Sequence, residues 1–328
     1  MTQTSQKRFC VVGSGAWGTV LALLLTHNAH DVTLWTRREE HAETLRRKRC
    51  NEAYLPGVFL PEALSVTANL SDCAAADALI IAVPSRALRE VLTQLPPVPA
   101  LISATKGLEH GTLKRSTQII AEYQPHAILG ALSGPNLAAE IAAGKPAASV
   151  LASNDDSFAT EAQTWFNQDS FRIYRSADIT GVELAGALKN ILALATGMSD
   201  ALGLGENTRA TIITRGLAEL LRLGDRLGAD PKTFYGLAGL GDIVATCASS
   251  HSRNHRAGEA LVRGESLADI QAAGLTAEGI PTVKAVQSYA TETGLELPIC
   301  SEVYSVVYEG KAPETALNDL MRRELKAE

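Results

Sequence analysis

The stretch Gly13-Ser14-Gly15-Ala16-Trp17-Gly18 follows a strand-like run, Arg8 to Val12, and opens an aliphatic segment, Thr19 to Leu25. A second strand-like run, Asp31 to Trp35, comes next. Strand, glycine turn, helix and strand in this order are typical of a dinucleotide-binding βαβ unit. In such a unit the three glycines permit a tight turn, close approach of a pyrophosphate and close helix packing, and the helix N-terminus offers its N–H groups to the phosphates. The six residues therefore predict a nucleotide site.

The end of the second strand indicates which dinucleotide binds. Thr36-Arg37-Arg38 stands where an Asp or Glu would hydrogen-bond the ribose 2′-hydroxyl of NAD. Guanidinium groups suit a 2′-phosphate, because their planar fork binds phosphate oxygens in bidentate fashion. We therefore expect NADP(H) as cofactor, while the neighbouring Glu39 keeps NAD(H) open. The alternative is that Arg37 and Arg38 only solvate a loop.

The rest of the chain divides into two parts with different secondary-structure patterns. Buried-type strands separated by helical stretches predict a doubly wound, mainly parallel α/β sheet covered on both faces. After about Tyr174 strand signals nearly vanish and long stretches with helical spacing follow. The prediction is a Rossmann-type domain over residues 1–178 and an all-helical domain over 179–328. The predicted later strands are Ala78 to Val83, Leu101 to Ala104, Ile128 to Leu132 and Ala148 to Ala152. The predicted helices are Gly181 to Asp200, Thr208 to Leu227, Arg256 to Arg263, Ile280 to Thr293 and Ala316 to Lys326.

Composition limits the classes of partner. The formal net charge of −6 gives no bulk attraction to nucleic acid or to an anionic membrane surface. No apolar run approaches the ~20 residues of a membrane span, and glycines break the apolar stretch that outlines a signal peptide after Lys7 and Arg8. Five scattered cysteines without a C-x-x-C pair indicate neither a disulfide framework nor a zinc site. We expect a cytoplasmic protein without a metal or membrane insertion.

Lys189 is the most informative residue of the second half, because the surrounding helix, Gly181 to Ala195, is apolar nearly all round. A lysine there must be paired, have a lowered pKa, or face a polar cleft. Such a lysine suits general acid–base chemistry on a hydroxyl or carbonyl. The structural alternatives are an ion pair with Glu183 or a side chain that extends to the surface.

Four further clusters combine polar groups with glycine or a strand end. Ser103 to Gly107 and Ser133 to Asn136 each follow a predicted strand, where open α/β sheets place their ligands. In the helical half, Gly239 to Asp242 and Ser252-Arg253-Asn254 offer donors that suit a phosphate. Taken singly, each cluster is equally compatible with an ordinary turn.

Taken together, the motifs resemble those of the NAD(P)-dependent glycerol-3-phosphate dehydrogenase family, from about Arg8 to past Glu278. The strings that carry the resemblance are GSGAWGT, ATKG, SGPN, ELAGALKNILALATG, GLGD and SRN. The resemblance implies reversible hydride transfer between NAD(P)H and dihydroxyacetone phosphate, giving sn-glycerol 3-phosphate for glycerophospholipid synthesis, in a homodimer. It implies that Lys189 accepts the proton of the C2 hydroxyl and that Asp242 orients Lys189. Lys106 would lie close to both the substrate and the nicotinamide.

The resemblance also assigns binding residues. Asn136 and Leu137 depart from it, because a hydroxyl residue and an aromatic are common at these two positions. The implied substrate-binding residues are Lys106, Gly134, Asn136, Lys189, Asp242, Ser252, Arg253 and Asn254. Together with the glycine turn and the two arginines argued above, the predicted cofactor-binding residues are Gly13, Ser14, Gly15, Ala16, Trp17, Gly18, Arg37, Arg38, Lys106, Ala138, Arg253 and Glu278.

Two alternative functions remain open at this point. One is another dehydrogenase of the same architecture that acts on a β-hydroxyacid or a sugar acid phosphate. Ser252-Arg253-Asn254 favours a phosphorylated substrate over a β-hydroxyacid. The other is a nucleotide-binding sensor or scaffold without catalysis, since a fold alone does not determine function. Lys189 in its apolar helix, with Lys106 and Asp242 available, argues against a sensor.

Overall fold

The computed structural model describes residues 6–325. Ten strands and fifteen α-helices are found in these residues, and the predicted elements from β1 to the last helix recur among them with shifted ends. The predicted end of the last helix, Lys326, lies outside the described residues. The strands are β1 Arg8–Val12, β2 Asp31–Trp35, β3 Cys50–Asn51, β4 Leu55–Phe59, β5 Leu64–Thr67, β6 Ala78–Ile81, β7 Ala100–Ser103, β8 Ile128–Ser133, β9 Ala147–Ser153 and β10 Phe171–Ser176. The helices are α1 Ala16–His27, α2 Glu39–Lys48, α3 Leu88–Leu92, α4 Ser116–Tyr123, α5 Ala138–Ala142, α6 Asp156–Phe166, α7 Ile179–Ala201, α8 Gly205–Arg226, α9 Pro231–Tyr235, α10 Asp242–Cys247, α11 Arg253–Val262, α12 Leu267–Ala272, α13 Gly279–Thr293, α14 Pro298–Glu309 and α15 Pro313–Met321.

Eight strands form one sheet in the order β10-β9-β8-β7-β6-β1-β2-β5. The six strands from β8 to β5 are parallel, and β1 lies between β2 and β6, so Val11 pairs with both Leu34 and Ile80. This central position explains why Phe9 to Val12 are buried and apolar on both faces of the sheet. The prediction of a mainly parallel Rossmann-type sheet is confirmed.

The sheet departs from a fully parallel arrangement at one edge. Strand β9 pairs antiparallel with β8, and β10 is parallel to β9. The chain between β8 and β9 contains only the short helix α5 and returns to the same end of the sheet at which it left. The apolar pattern of β9 did not reveal this reversal, because a buried strand has the same composition in either direction.

The chain forms two compact units, each built from two segments. One contains the chain up to Lys106 and Arg115–Glu183, and the other contains Gly107–Lys114 and the chain from Leu184 onward. The first unit holds the sheet, and the second is helical. Leu108, in the short segment after β7, is accordingly buried in the apolar core of the helical unit.

Helix α7 is the core of the helical unit from Leu184 onward. Leu188, Ile191 and Leu194 are fully buried in it. By length and composition alone its 23 residues are enough to cross a membrane, although the sequence analysis found no such stretch. However, 89% of its most apolar window is buried inside the protein, which is the environment of a core helix.

The cysteines differ from expectation. The structure joins Cys10 of β1 to Cys73 in a disulfide, whereas the sequence analysis expected none. The two are 63 residues apart in sequence but 5.4 Å apart between Cα atoms. Spacing along the chain could not show this proximity, because it arises from the packing of a 3₁₀ turn, Leu70–Cys73, near the central strand.

A buried carboxylate stabilises the start of α14. Glu219 of α8 accepts hydrogen bonds from the backbone N–H groups of Ile299, at 2.7 Å, and Cys300, at 3.1 Å. These are two of the N–H groups that a helix leaves without a partner in its first turn. Glu219 thus acts as the cap of α14 from a different helix. Burial raises the pKa of its carboxyl, and the two backbone N–H groups oppose that shift.

We expect Glu219→Ala to lower the free energy of unfolding by about 2–4 kcal/mol, because it leaves two buried N–H groups without an acceptor and opens a cavity. Glu219→Gln retains one acceptor oxygen and should lose less than half as much. Urea denaturation monitored by circular dichroism gives both values. Equal losses in the two variants would contradict the capping role.

Candidate active site

The glycine turn between β1 and α1 shows why two of its glycines are required. Gly13 has φ of +122°, and an added Cβ would lie 2.6 Å from the carbonyl oxygen of Ala82. A Cβ on Gly18 would lie 1.8 Å from the carbonyl oxygen of Gly13. At Gly15, by contrast, a Cβ would meet no described atom within 4 Å. Gly13 and Gly18 thus serve the turn and its packing, and Gly15 leaves open space before the helix.

That open space faces the first turn of α1. Gly15 is the N-cap residue, so α1 begins without a side-chain cap on its N–H groups, and its first turn carries no acidic residue. Such a helix end attracts an anionic group. Asn51 holds the turn in place from β3, since its buried Nδ2 donates to the carbonyl oxygen of Ser14, at 2.9 Å, and to the hydroxyl of Thr19, at 2.8 Å. The turn is therefore rigid and open toward a phosphate.

Arg37 and Arg38 lie in different surroundings. Arg37 lines a cavity of about 280 Å³, whereas Arg38 occupies the N-cap position of α2. Glu90 of α3 lines the same cavity as Arg37, so a carboxylate is present that the sequence around β2 did not indicate. Apolar, amide and hydroxyl side chains complete the wall, which suits an adenosine. The lining residues are Trp35, Arg37, Ala68, Asn69, Leu70, Ser71, Glu90, Val91 and Gln94.

The ends of β7 and β8 bring two predicted residues together. Lys106, just after β7, donates from Nζ to the carbonyl oxygen of Gly134, just after β8, at 2.9 Å. Gly134 packs closely on β9, where an added Cβ would lie 3.0 Å from Cα of Ser149. The side chain of Asn136 also contacts β9, because its Nδ2 donates to the hydroxyl of Ser149 at 3.1 Å. Its Oδ1 is buried without a hydrogen-bond partner in the described structure.

The helical unit gives Lys189 a polar environment of its own. Nζ lies 2.7 Å from Oδ1 of Asp242 and donates a second hydrogen bond to the hydroxyl of Thr246. Lys189 is 7% exposed and Asp242 is 1% exposed, so the pair is largely removed from water. Of the alternatives considered for Lys189, an ion pair is present, but its partner is Asp242.

Glu183, the other suggested partner, is occupied elsewhere. Its carboxylate binds Nη1 of Arg115 at 2.6 Å and accepts a hydrogen bond from the backbone N–H of Thr117 at 2.8 Å. Burial raises the pKa of Glu183, against the charge of Arg115 and these hydrogen bonds. Glu183 thus holds the start of α4, and its bonds have no part in the environment of Lys189.

The segment before Asp242 and the neighbouring Cys247 complete the surroundings of the Lys189–Asp242 ion pair. Asp242 follows a π-helical turn, Leu237–Gly241, a feature often found at functional sites. Gly239 in this turn packs so closely that an added Cβ would lie 2.1 Å from the carbonyl oxygen of Phe234. Burial raises the pKa of the neighbouring Cys247 thiol to about 11, so it carries no charge at neutral pH. This environment suits proton transfer at Nζ.

The Ser252-Arg253-Asn254 cluster forms the beginning of α11. Ser252 is the N-cap, and its hydroxyl oxygen accepts from the backbone N–H of His255 at 3.2 Å. Asn254 donates to Oδ1 of Asn190 at 2.8 Å and accepts from the backbone N–H of Gly279 at 2.8 Å. Arg253 is exposed. Arg253 and the first-turn N–H groups are therefore the groups best placed to bind an anion.

The remaining predicted cofactor residues occupy helix starts. Ala138 begins α5, and Glu278 is the N-cap residue of α13. Trp17 is half-buried in the first turn of α1, and its ring lies 6.3 Å from that of Phe171. Its indole Nε1 is a buried donor that has no hydrogen-bond partner among residues 6–325.

Two family models match the chain almost from end to end. One, described as the NAD-dependent glycerol-3-phosphate dehydrogenase N-terminus, matches residues 8–159, and its C-terminal counterpart matches residues 178–318. The chain belongs to the NAD-dependent glycerol-3-phosphate dehydrogenase family. The resemblance found from sequence motifs is thus confirmed, and the family's enzymes are NAD(P)-dependent oxidoreductases.

Individual relatives agree with this assignment. Glycerol-3-phosphate dehydrogenase [NAD(P)+] of Thermus thermophilus is 47% identical over 324 residues, which cover 98% of this chain and all of the relative. The enzyme of the same name from Geobacter sulfurreducens is 45% identical over 331 residues, covering 98% and 99%. A crystal structure of glycerol-3-phosphate dehydrogenase from Coxiella burnetii superposes with a TM-score of 0.92 at 36% identity, covering 97% of this chain and 99% of that one.

Three residues of these surroundings were not predicted from the sequence: Asn51, Thr246 and Asn190. Thr246 could have been found, because it lies four residues after Asp242 and so faces the same side of α10. Asn190 follows Lys189 directly, but only the structure shows its bond to Asn254. For Asn51 we find no signal, since its partners lie in a different element.

A pair of glycine variants separates packing from cofactor binding. We expect Gly18→Ala to lower the free energy of unfolding by about 2 kcal/mol or more, because its methyl group overlaps the Gly13 carbonyl oxygen. Gly15→Ala should fold with nearly unchanged stability but bind NADPH at least tenfold more weakly, because its methyl group enters the space before α1. Thermal denaturation without cofactor and fluorescence titration with NADPH measure the two effects. Unchanged NADPH affinity in Gly15→Ala would contradict the phosphate site.

Proposed function

We propose that this chain reduces dihydroxyacetone phosphate to sn-glycerol 3-phosphate with NADPH or NADH, reversibly, and that Lys189 carries the proton. The observation that carries the proposal is the buried ammonium of Lys189 held between Asp242 and Thr246. We further propose that residues 1–178 form the NAD(P)-binding domain and residues 179–328 the helical substrate-binding and catalytic domain. From the family resemblance we also propose that the protein is a cytoplasmic homodimer and that its product enters glycerophospholipid synthesis.

The first unit fits a dinucleotide. The turn from Gly13 to Gly18 would hold the pyrophosphate, because Gly15 leaves open space before the first N–H groups of α1. Arg37 would bind a 2′-phosphate, and Glu90 could accept a hydrogen bond from a 2′-hydroxyl in the same cavity. When bound, the nicotinamide of this cofactor supplies or accepts the hydride. We assign Ala138 and Glu278 to the cofactor from the family resemblance alone, and Arg38 from its position beside Arg37 after β2.

Lys189 performs the proton transfer. In reduction its ammonium donates a proton to the oxygen that was the carbonyl, and in oxidation its neutral amine accepts the hydroxyl proton. Asp242 stabilises the ammonium and, with Thr246, holds Nζ in one position. Lys106 would stabilise the substrate oxygen electrostatically. The side chain of Lys106 is already held in place, because its Nζ donates a hydrogen bond to the carbonyl oxygen of Gly134 after β8.

The phosphate of the substrate would bind at the start of α11. The N-terminal N–H groups of this helix and the exposed guanidinium of Arg253 attract an anion. Ser252 and Asn254 contribute mainly by fixing this helix start, since their side chains are already bonded within the unit. Binding the phosphate away from the reacting carbon orients the substrate and selects a phosphorylated triose over an unphosphorylated one.

Replacing the proposed proton carrier tests the mechanism directly. We expect Lys189→Met to lower kcat for dihydroxyacetone phosphate reduction by at least a thousandfold, because general acid catalysis and the electrostatic effect of the ammonium are both lost. NADPH affinity should remain within about twofold of the wild type, since the glycine turn is untouched. NADPH oxidation at 340 nm and fluorescence titration give the two values. Turnover near that of the wild type would rule out Lys189 as the proton carrier.

The two arginines after β2 form a matched pair for cofactor choice. We expect Arg37→Ala to lower kcat/KM for NADPH about tenfold and to change that for NADH less than twofold, because only NADPH carries a 2′-phosphate. Arg38→Ala should have a much smaller effect, since Arg38 is the N-cap residue of α2 and is not among the residues that line the cavity with Arg37. Steady-state kinetics with both cofactors decides the question. Equal losses for NADPH and NADH in Arg37→Ala would overturn its role.

A further inference from the structure

A charged network in the helical unit has no part in the function proposed so far. It consists of Asp200 near the end of α7, Arg209 in α8 and His255 in α11. Nε2 of His255 lies 2.7 Å from Oδ2 of Asp200. Arg209 binds the same carboxylate with two nitrogens, Nη2 at 2.9 Å and Nε at 3.2 Å. One carboxylate therefore joins three helices.

This network ends at the proposed phosphate site. His255 is the third residue of α11, and its backbone N–H is the group that Ser252 caps. Its side chain holds the same turn to α7 through Asp200, and Asn254 holds it to α7 through Asn190. The first turn of α11 is thus attached to α7 at two points, one beside Lys189 and one near the end of the helix.

The backbones of α7 and α11 also touch. A Cβ on Gly197 of α7 would lie 2.0 Å from the carbonyl oxygen of His255, and one on Gly258 would lie 2.2 Å from that of Leu194. Backbone packing of this closeness fixes the distance between two helices but leaves sliding along the axis less restricted. A directed bond such as that from His255 to Asp200 fixes the position along the axis as well.

The network is costly for a purely structural contact. The side chain of His255 is only 6% exposed and that of Asp200 only 18%. Nδ1 of His255 is buried without a hydrogen-bond partner in residues 6–325, and the nearest carboxylate oxygen, Oε1 of Glu259, is 3.8 Å away. Burying such groups costs free energy that a well-packed apolar side chain would avoid. A requirement that α11 be held precisely relative to α7 accounts for this cost.

We propose that His255, through Asp200 and Arg209, is a positioning residue that sets where α11 presents Arg253 and its N–H groups relative to Lys189 on α7. This inference rests on the proposed function. The two groups must match the fixed separation between the phosphate and C2 of one substrate, and a small displacement costs rate steeply. The positioning therefore matters for a phosphorylated substrate and not for one that lacks the phosphate.

The test compares two substrates in a set of variants of the full chain. The variants are His255→Ala, His255→Gln, whose amide can still donate to Asp200, and Asp200→Asn, which keeps the shape of the side chain. Glu206→Gln is the matched control, because it removes only the other partner of Arg209, whose carboxylate is 81% exposed. Reduction of dihydroxyacetone phosphate and of dihydroxyacetone is measured at saturating NADPH, with thermal denaturation and NADPH titration for every variant.

We expect His255→Ala to raise KM for dihydroxyacetone phosphate on the order of tenfold, with kcat/KM for dihydroxyacetone within twofold of the wild type. His255→Gln should recover most of the affinity, Asp200→Asn should be intermediate, and Glu206→Gln should be unchanged. NADPH affinity should stay constant throughout.

Several results would overturn the inference. One is an unchanged KM for dihydroxyacetone phosphate in folded His255→Ala; another is an equal loss with both substrates. If His255→Ala does not fold, unchanged KM values in Asp200→Asn have the same force. A wild-type protein that never reduces dihydroxyacetone phosphate would instead refute the proposed function, which is a separate outcome.

Discussion

The ion pair between Lys189 and Asp242 is the constraint on which the helical unit depends. Two charges buried at 2.7 Å are tolerated only while each remains the partner of the other, since loss of one leaves an uncompensated buried charge. The elements that carry them, α7 and α10, must therefore keep one relative position. The π-helical turn before Asp242 and the hydroxyl of Thr246 both serve that position.

Glycine contacts extend this constraint outward from α7. Gly258 of α11 and Gly279 of α13 bring their helices against the α7 backbone, where an added Cβ would lie 2.2 Å from the carbonyl oxygen of Leu194 and 2.5 Å from that of Asn190. Directed hydrogen bonds lie beside these contacts, including the one from Asn254 to Asn190 next to Lys189. The helix that carries the proposed proton donor therefore also determines where the proposed phosphate-binding turn lies.

Sequence patterns predicted what is local and missed what depends on packing. The order of β1, α1 and β2 follows from apolar runs and glycines a few residues apart, so its prediction needed no tertiary information. The need of Lys189 for a partner was also predictable, because the helix around it is apolar. Glu183 was a poor choice of partner on helical geometry, since residues six apart do not share a face. Three features join distant segments, and no local pattern encodes them. They are the reversal of β9, the bond from Asn51 to the glycine turn, and the pairing of Cys10 with Cys73.

The cavity beside β2 shows how position modifies a prediction based on charge. Two adjacent arginines suggested NADP(H) as cofactor, with NAD(H) kept open by Glu39, but only Arg37 lines the cavity, and Glu90 from another helix lines it as well. Both of these side chains are exposed, so water screens their charges and weakens each interaction. A cavity that holds one exposed cation and one exposed carboxylate attracts a 2′-phosphate without making a 2′-hydroxyl unfavourable. If this cavity holds the adenosine as proposed, the discrimination between NADPH and NADH at this position should therefore be modest.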